Sequence, residues 1–384
     1  MNASERRFEQ GPIRPPSEAG SLLLRFTRNC PWNKCAFCPV YKSRTFSRRS
    51  LEEIRGDIDA VRAMLDGLRD LSHSMGFEGR LDKEVLNRVM TDSSFNEQQR
   101  QVAYWAARGQ GNVFIQDANS LILKTSKLAD ALRALRSTLP EVQRVTSYAR
   151  SSTVAGKSQE ELEELKEAGL DRLHIGMESG SNEVLALVNK RSTAEQHIEA
   201  GRKVVRSGIT LSEYIMPGLG GRAYSREHAL ETARVLNEIN PHFIRVRTLH
   251  VIPGTPLHDM LRNGDFEPLD DDEIVREIRL LIDGLQSIES RITSDHVMNL
   301  LEEVQGTLPQ DKPEMLQRID AYLAMPQPDR LLYRLGRRGG AIRSPRDLSN
   351  PSVRSQLERA KQELETQQGK GLEEIIREMG RQYL

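Results

Sequence analysis

Six short runs rich in β-branched and apolar residues punctuate the first two thirds of the chain. They are LLLRFT (22–27), NVFIQD (112–117), RVTSYA (144–149), RLHIGME (172–178), ITLSEYIMPG (209–218) and FIRVRTL (243–249). The stretches between the later runs carry helix signals. Ser158 and Glu161 form a capping box ahead of Leu162, Leu165 and Ala168, with Gly169 where a C-cap belongs. Thr193 and Gln196 repeat the device before a helix that stops near Gly208. From the second run onward the starts lie 32, 28, 37 and 34 residues apart, the size of a βα unit. Six such units predict an α/β fold with a parallel sheet, as a barrel or partial barrel or as an open doubly wound sheet.

The first unit breaks the rhythm. Ninety residues separate the starts of runs one and two, and 50–107 reads as a helical insertion. Beyond PGTPLHDM the strand signal fades, and residues 270–384 read as amphipathic helices, with Ile274, Ile278, Leu281 and Ile282 on one face. The expected division is an N-terminal extension (1–20), a core (21–260) and a helical C-terminal region (261–384). The basic stretch RLLYRLGRRGGAIRSPR (330–346) reads as a solvated surface loop, with a ligand site as the alternative.

Composition narrows the function classes. Lysine plus arginine and aspartate plus glutamate both number 55, so no global field favours nucleic acid or membrane. MNASERRFEQ lacks the apolar core of a secretion signal, and no run approaches the roughly 18 apolar residues of a spanning helix. A cytoplasmic protein is expected.

All three cysteines fall within NCPWNKCAFC (29–38), on a loop after the first strand, the end at which parallel barrels build active sites. An odd count so tightly spaced argues against a disulfide framework. Three readings stand: buried unligated thiols, structural zinc, and an iron–sulfur cluster. Zinc wants a second ligand pair, and none follows at short spacing. A cluster held by three cysteines leaves one iron open for chemistry.

The segment resembles the cluster loop of the radical S-adenosylmethionine (radical SAM) superfamily, usually CxxxCxΦC. Cys30, Cys35 and Cys38 would be the ligands and Phe37 the aromatic residue, with one residue more between the first two cysteines. RLHIGMESGSNEVLALVNKRST resembles the fourth-strand segment of the branch containing methylthiotransferases, and Glu178 matches the glutamate that contacts the cofactor there. YIMPGLGG resembles the fifth-strand glycine loop, and VIPGTPL the turn after strand six. The resemblance covers about residues 21–260 and implies a partial (β/α)6 TIM-like barrel. It also implies a [4Fe–4S] cluster, S-adenosylmethionine, and an electron donor such as flavodoxin or ferredoxin. Asp117, Asn119, Arg150 and Glu178 are the implied cofactor contacts, with Ile215 and Ile252 bordering the adenine.

Strand alternation places His174, Gly176 and Glu178 opposite the apolar face Leu173, Ile175 and Met177. In run six it leaves Arg245 and Arg247 facing inward. One of these is expected to pair with an interior carboxylate such as Glu213 or with the cofactor, and the other to grip an anionic substrate. The implied reaction is reductive cleavage of S-adenosylmethionine to a 5′-deoxyadenosyl radical, which takes hydrogen from a substrate. With no cysteine left over, an auxiliary cluster and methylthiotransferase-type sulfur insertion are not expected. The short stretch before run one leaves no room there for a cobalamin domain, and LLLRFTRNC lacks the tyrosine-histidine signature of coproporphyrinogen oxidases. A small-molecule substrate is favoured over nucleic acid. The alternatives are an RNA-modifying enzyme tethered through 330–346 and a non-catalytic, metal-stabilised binding module.

Overall fold

The computed structural model describes residues 7–380, which form two compact units. The first comprises the chain up to Asn33 with Val40–Ile175 and Lys203–Leu211. It holds strands β1 (Leu22–Arg25), β2 (Asn112–Gln116) and β3 (Arg144–Ala149) and the first part of β4 (Arg172–Glu178). Neighbours run parallel, with Leu24 opposite Ile115, Phe114 opposite Thr146 and Ser147 opposite Leu173. Val113, Phe114 and Ile115 are all fully buried, so β2 is covered on both faces, as parallel strands between helices are.

The insertion is helical, as the periodicity predicts. Helices Leu51–Ser74, Lys83–Thr91 and Glu97–Arg108 follow one another, each opened by a side-chain cap from Ser50, Asp82 or Asn96. Ile54, Ile58, Val61, Leu65 and Leu68 form a buried stripe on the first, and that helix packs on Thr125–Thr138. The Ser158–Glu161 capping box is present, and Gly169 takes φ +108° just past the helix end, where a Cβ would be strained.

The second unit comprises Lys34–Pro39, Gly176–Arg202 and the chain from Ser212 onward. It contains the end of β4, most of β5 (Thr210–Ile215), and β6 (Phe243–Val246). Tyr214 lies opposite Arg245 in the parallel β5–β6 pair. Here the sequence expectation needs extending. A further strand, β7 (Arg291–Thr293), runs parallel to β6, and β8 (Gly306–Thr307) pairs with it antiparallel. At three and two residues they are too short to leave a periodic signal.

The basic stretch is a second correction. Rather than a solvated loop, most of it is helix Gln327–Arg338, with Arg334 and Arg338 buried. Both donate to Asp271, at 3.0 and 2.7 Å, while Arg330 pairs with Asp272 and Arg337 with Glu302. Counter-charges 35 to 67 residues away in sequence turned an apparent basic loop into a docked helix. No helix among the described residues is long and apolar enough to cross a membrane.

Candidate functional site

The cysteine loop is irregular in backbone, and none of its three thiols is in a disulfide. Cys35 is buried, and Cys30 and Cys38 are half-buried. No three His, Cys, Asp or Glu side chains among the described residues form a ready-made metal cage. What fits a cluster is the donor set: three thiols within nine positions and no other cysteine in the chain.

In the first unit, the residue before Cys30 is pinned by Asp117. Asp117 Oδ2 accepts from the Asn29 N–H at 2.7 Å and from Arg25 Nε and Nη2 at 2.8 and 2.5 Å. Arg25 also donates to Glu9, which pairs with Arg28 and Arg49. Asp117 is fully buried, and Gly11 lies over it so closely that a Cβ there would fall 1.9 Å from Oδ1. Burial and the Asp117 charge push the neighbouring Tyr41 phenol well above its ordinary range. Asn119 is occupied at both ends. Its Oδ1 accepts from the Arg150 N–H at 3.2 Å and its Nδ2 donates to Thr153 at 2.8 Å, holding the start of the short helix Ser151–Ala155. Arg150 is half-buried at that helix's N-cap.

In the second unit, residues 34–39 are docked by backbone hydrogen bonds. The Ala36 N–H donates to Val188 O at 2.8 Å, and Ala36 O accepts from the Leu257 N–H at 3.0 Å. Phe37 packs in a cluster with Ala36, Val184, Val188 and Leu257, and Lys190 Nζ lies 5.8 Å from its ring centroid. Lys190 is also the partner of Glu178, at 2.9 Å, with both side chains about nine-tenths buried (10% and 12% exposed). Glu178 ends β4 in a left-handed conformation, φ +64°, a costly state for a non-glycine residue. Gly176 makes room for the pair, since a Cβ there would meet Glu178 Oε1 at 2.3 Å and Lys190 Nζ at 3.1 Å.

Next to this pair is Glu213 on β5, fully buried with neither carboxyl oxygen hydrogen-bonded. Burial pushes its carboxyl well above the ordinary range, Glu178 adds to the shift and Lys190 opposes it. It is an orphaned polar group beside a charged pair. The glycine loop after β5 is tied down by Glu277, which accepts from the Gly218 N–H at 2.7 Å and Ser225 Oγ at 2.6 Å. Burial raises Glu277 to about 7 and lowers the adjacent His228 to about 4. At 3.6 Å apart, the two are therefore not an ion pair at neutral pH.

One of Arg245 and Arg247 is expected to pair with a carboxylate such as Glu213 or with the cofactor, and Arg245 pairs with a carboxylate other than Glu213. Its partner is Asp295, 3.3 Å away just beyond β7, the strand that the periodicity did not show. The Arg247 guanidinium lies 5.2 Å from the Tyr214 ring centroid. Ile215 is fully buried at the end of β5, and Ile252 is half-buried in the turn after β6. Sequence reasoning thus missed Lys190, which stands inside the NKRST stretch, and Glu277, whose only signal was its place in a helical pattern.

Comparison with known proteins gives a match to the family model of the Radical SAM superfamily over residues 24–233. A tRNA uridine(34) acetyltransferase of Methanocaldococcus infernus is 24% identical over 291 residues, 70% of this chain and 50% of that protein. A biotin synthase of Salinispora tropica is 30% identical over 128 residues, 33% of this chain and 38% of that one. Among solved structures, coproporphyrinogen III oxidase from Escherichia coli, titled a radical SAM enzyme, superposes with a TM-score of 0.43 at 15% identity, covering 73% of this chain and 54% of that one. The chain spans half the length of the Methanocaldococcus infernus relative.

Proposed function

We propose that this chain, which belongs to the Radical SAM superfamily, reductively cleaves S-adenosylmethionine and removes a hydrogen atom from a substrate. Enzymes of this family use a [4Fe–4S] cluster and S-adenosylmethionine. The observation that carries the reading is that the chain's three cysteines all fall in the matched segment, on one loop, with none left over. In this reading Cys30, Cys35 and Cys38 hold the cluster, which supplies the electron for reductive cleavage of S-adenosylmethionine, the source of the hydrogen-abstracting radical.

The protein's own part is to position and exclude. Asp117 and Arg25 fix the backbone entering the cysteine loop, and the Ala36 hydrogen bonds fix its far side. Glu178 is the cofactor contact, held in place by Lys190. Glu213 lies beside it, so two carboxyl groups and an ammonium stand close together. That set suits a ligand bearing amine, carboxylate and ribose hydroxyls. Arg150, Ile215 and Ile252 remain proposed contacts from the resemblance. Asp117 and Asn119 are proposed to act through the loops they hold. The core of the activity is assigned to 21–260, and a flavodoxin- or ferredoxin-type donor to electron supply.

The test is anoxic reconstitution with iron and sulfide analysis, followed by reduction and measurement of 5′-deoxyadenosine. Four irons per chain and release of 5′-deoxyadenosine are expected. One bound zinc, or four irons retained after all three cysteines become alanine, overturns the reading. A second reading, RNA modification, draws on the relative described as a tRNA uridine(34) acetyltransferase. The ion pairing of Arg330, Arg334, Arg337 and Arg338 weighs against the basic stretch as its tether. A non-catalytic metal-binding module would hold the cluster and release no 5′-deoxyadenosine.

A further inference from the structure

The stretch that carries the cysteines has charge of one sign only. The 33 residues between Glu18 and Glu52 hold seven lysines and arginines and no acid, in a chain that is balanced overall. Three of the seven are answered from elsewhere in the first unit. Arg25 pairs with Glu9 and Asp117, Arg28 with Glu9 and Glu53, and Arg49 with Glu9 and Asp57. Arg44 and Arg48 are exposed, and neither makes an ion pair among the described residues. Arg48 lies over the half-buried Phe46 ring, 5.8 Å from its centroid. The four carboxylates exceed the three arginines they answer by one, and Lys42, Arg44 and Arg48 turn that into a surplus of two positive charges. Glu52 and Asp59, next along the chain, are matched by Arg55 and by Lys127, which donates to Arg49 O at 2.7 Å.

These cations ride on a turn folded against Cys30, within the same unit. Thr27–Arg28 and Ser47–Arg48 pair antiparallel. Asn29 Nδ2 donates to Thr45 O at 2.6 Å, and Asn33 Nδ2 donates to Tyr41 O and Arg44 O. The Asn33 N–H donates to Cys30 Sγ at 3.4 Å, and Lys42 Nζ donates to Asn33 O at 3.2 Å. One asparagine thus joins the thiol to the backbone that carries Lys42 and Arg44.

We propose that the turn at 41–48 is the docking surface of a small acidic electron-carrier protein, which delivers its electron beside Cys30. Exposed guanidiniums held on a fixed turn steer an acidic partner toward it. Arginine and aromatic side chains, here Arg48 on Phe46, are the kinds enriched where proteins meet. The footprint is small. Three cations on eight residues suit a brief redox encounter, which buries less than about 1,200 Å². A protein gripping a nucleic-acid backbone makes about six to ten phosphate contacts. In the transfer the carrier is oxidised by one electron and the cluster is reduced by one, and no atom or proton moves. The partner's role as donor rests on the enzyme reading above, whereas the docking does not.

The test is isothermal titration of the anoxically reconstituted full chain. An acidic ferredoxin and an acidic flavodoxin are the probes, and cytochrome c, which is basic, is the control. At least one acidic carrier should bind with one-to-one stoichiometry, and added salt should weaken it. Arg44→Gln and Arg48→Gln should each weaken that carrier about two- to fivefold. The double variant Arg44→Glu, Arg48→Glu should weaken it about tenfold or more. Both side chains are exposed, so circular dichroism should not change. With dithionite as reductant the double variant should form 5′-deoxyadenosine as wild type does. With the reduced carrier it should fall behind in step with the loss of binding. The proposal is overturned if neither carrier binds, if the double variant binds as wild type does, or if cytochrome c binds as tightly. It is equally overturned if a tRNA transcript displaces the carrier and loses affinity through the same two substitutions, which would give the turn to nucleic acid. Should neither reductant yield 5′-deoxyadenosine while carrier binding still depends on both arginines, the enzyme reading fails and the docking surface stands.

Discussion

Glu178 shows how much one side chain depends on two others. Its carboxylate is held by Lys190, and the pair fits only because position 176 has no side chain. Glu178→Gln should keep the fold and the iron content yet weaken S-adenosylmethionine binding about ten- to a hundredfold, since a hydrogen bond to a charged group contributes about 1.5–3 kcal/mol. Equilibrium binding to the reconstituted protein measures it, and unchanged affinity would return Glu178 to a structural role. Gly176→Ala is the sharper probe. It alters neither charged residue, but the added methyl must push Glu178 off Lys190, so the same loss of affinity is expected. At this scale the sequence was half legible. Alternation along RLHIGME put Glu178 on the side of Gly176, whereas Lys190 was invisible because its contact is made across the short helix Asn182–Leu187 rather than along a strand.

Among the elements, the glycine loop after β5 is fastened to helix Asp271–Gly284 by Glu277, and this fastening titrates. A carboxyl raised to about 7 binds its proton more tightly in the folded than in the unfolded chain. Its contribution therefore falls as pH rises from about 4.5 to 7. His228, lowered to about 4, works in the opposite sense, adding stability as pH rises from about 4 to 6.5. The two offset one another over most of that window. Glu277→Gln should remove one of them, so the variant gains stability relative to wild type by up to about 3 kcal/mol between pH 4.5 and 7. Urea titrations across that range check the sign. Asp271→Asn should act on helix Gln327–Arg338 in another way, removing the carboxylate that two buried arginines share at a cost of about 3–5 kcal/mol. Thermal melts and limited proteolysis of the C-terminal helices measure that loss. The six βα strands and the helical insertion could be read from periodicity because each spans several repeats of its pattern. β7 and β8 could not, and with them Asp295, the partner of Arg245, stayed hidden.

Taken whole, the chain concentrates its cysteines on one loop and balances its charges in total, 55 of each sign. Single replacement of Cys30, Cys35 or Cys38 by alanine should abolish a four-iron centre while leaving the far-ultraviolet dichroism of the fold intact. Iron retained at wild-type levels in any of the three would remove that residue from the ligand set. RNA affinity, if any, should show a shallow salt dependence, because four arginines of the basic stretch are already paired within the protein. A slope equivalent to several phosphate contacts would favour the RNA reading. The space at Gly176 also constrains how such a chain can diverge. Positions 176, 178 and 190 are linked by contact, so a relative that acquires a side chain at the first should have lost the acid or the base at the others. Mutational drift through this segment should thus proceed by joint replacement, and an intermediate carrying alanine with the glutamate and lysine intact should be rare among descendants.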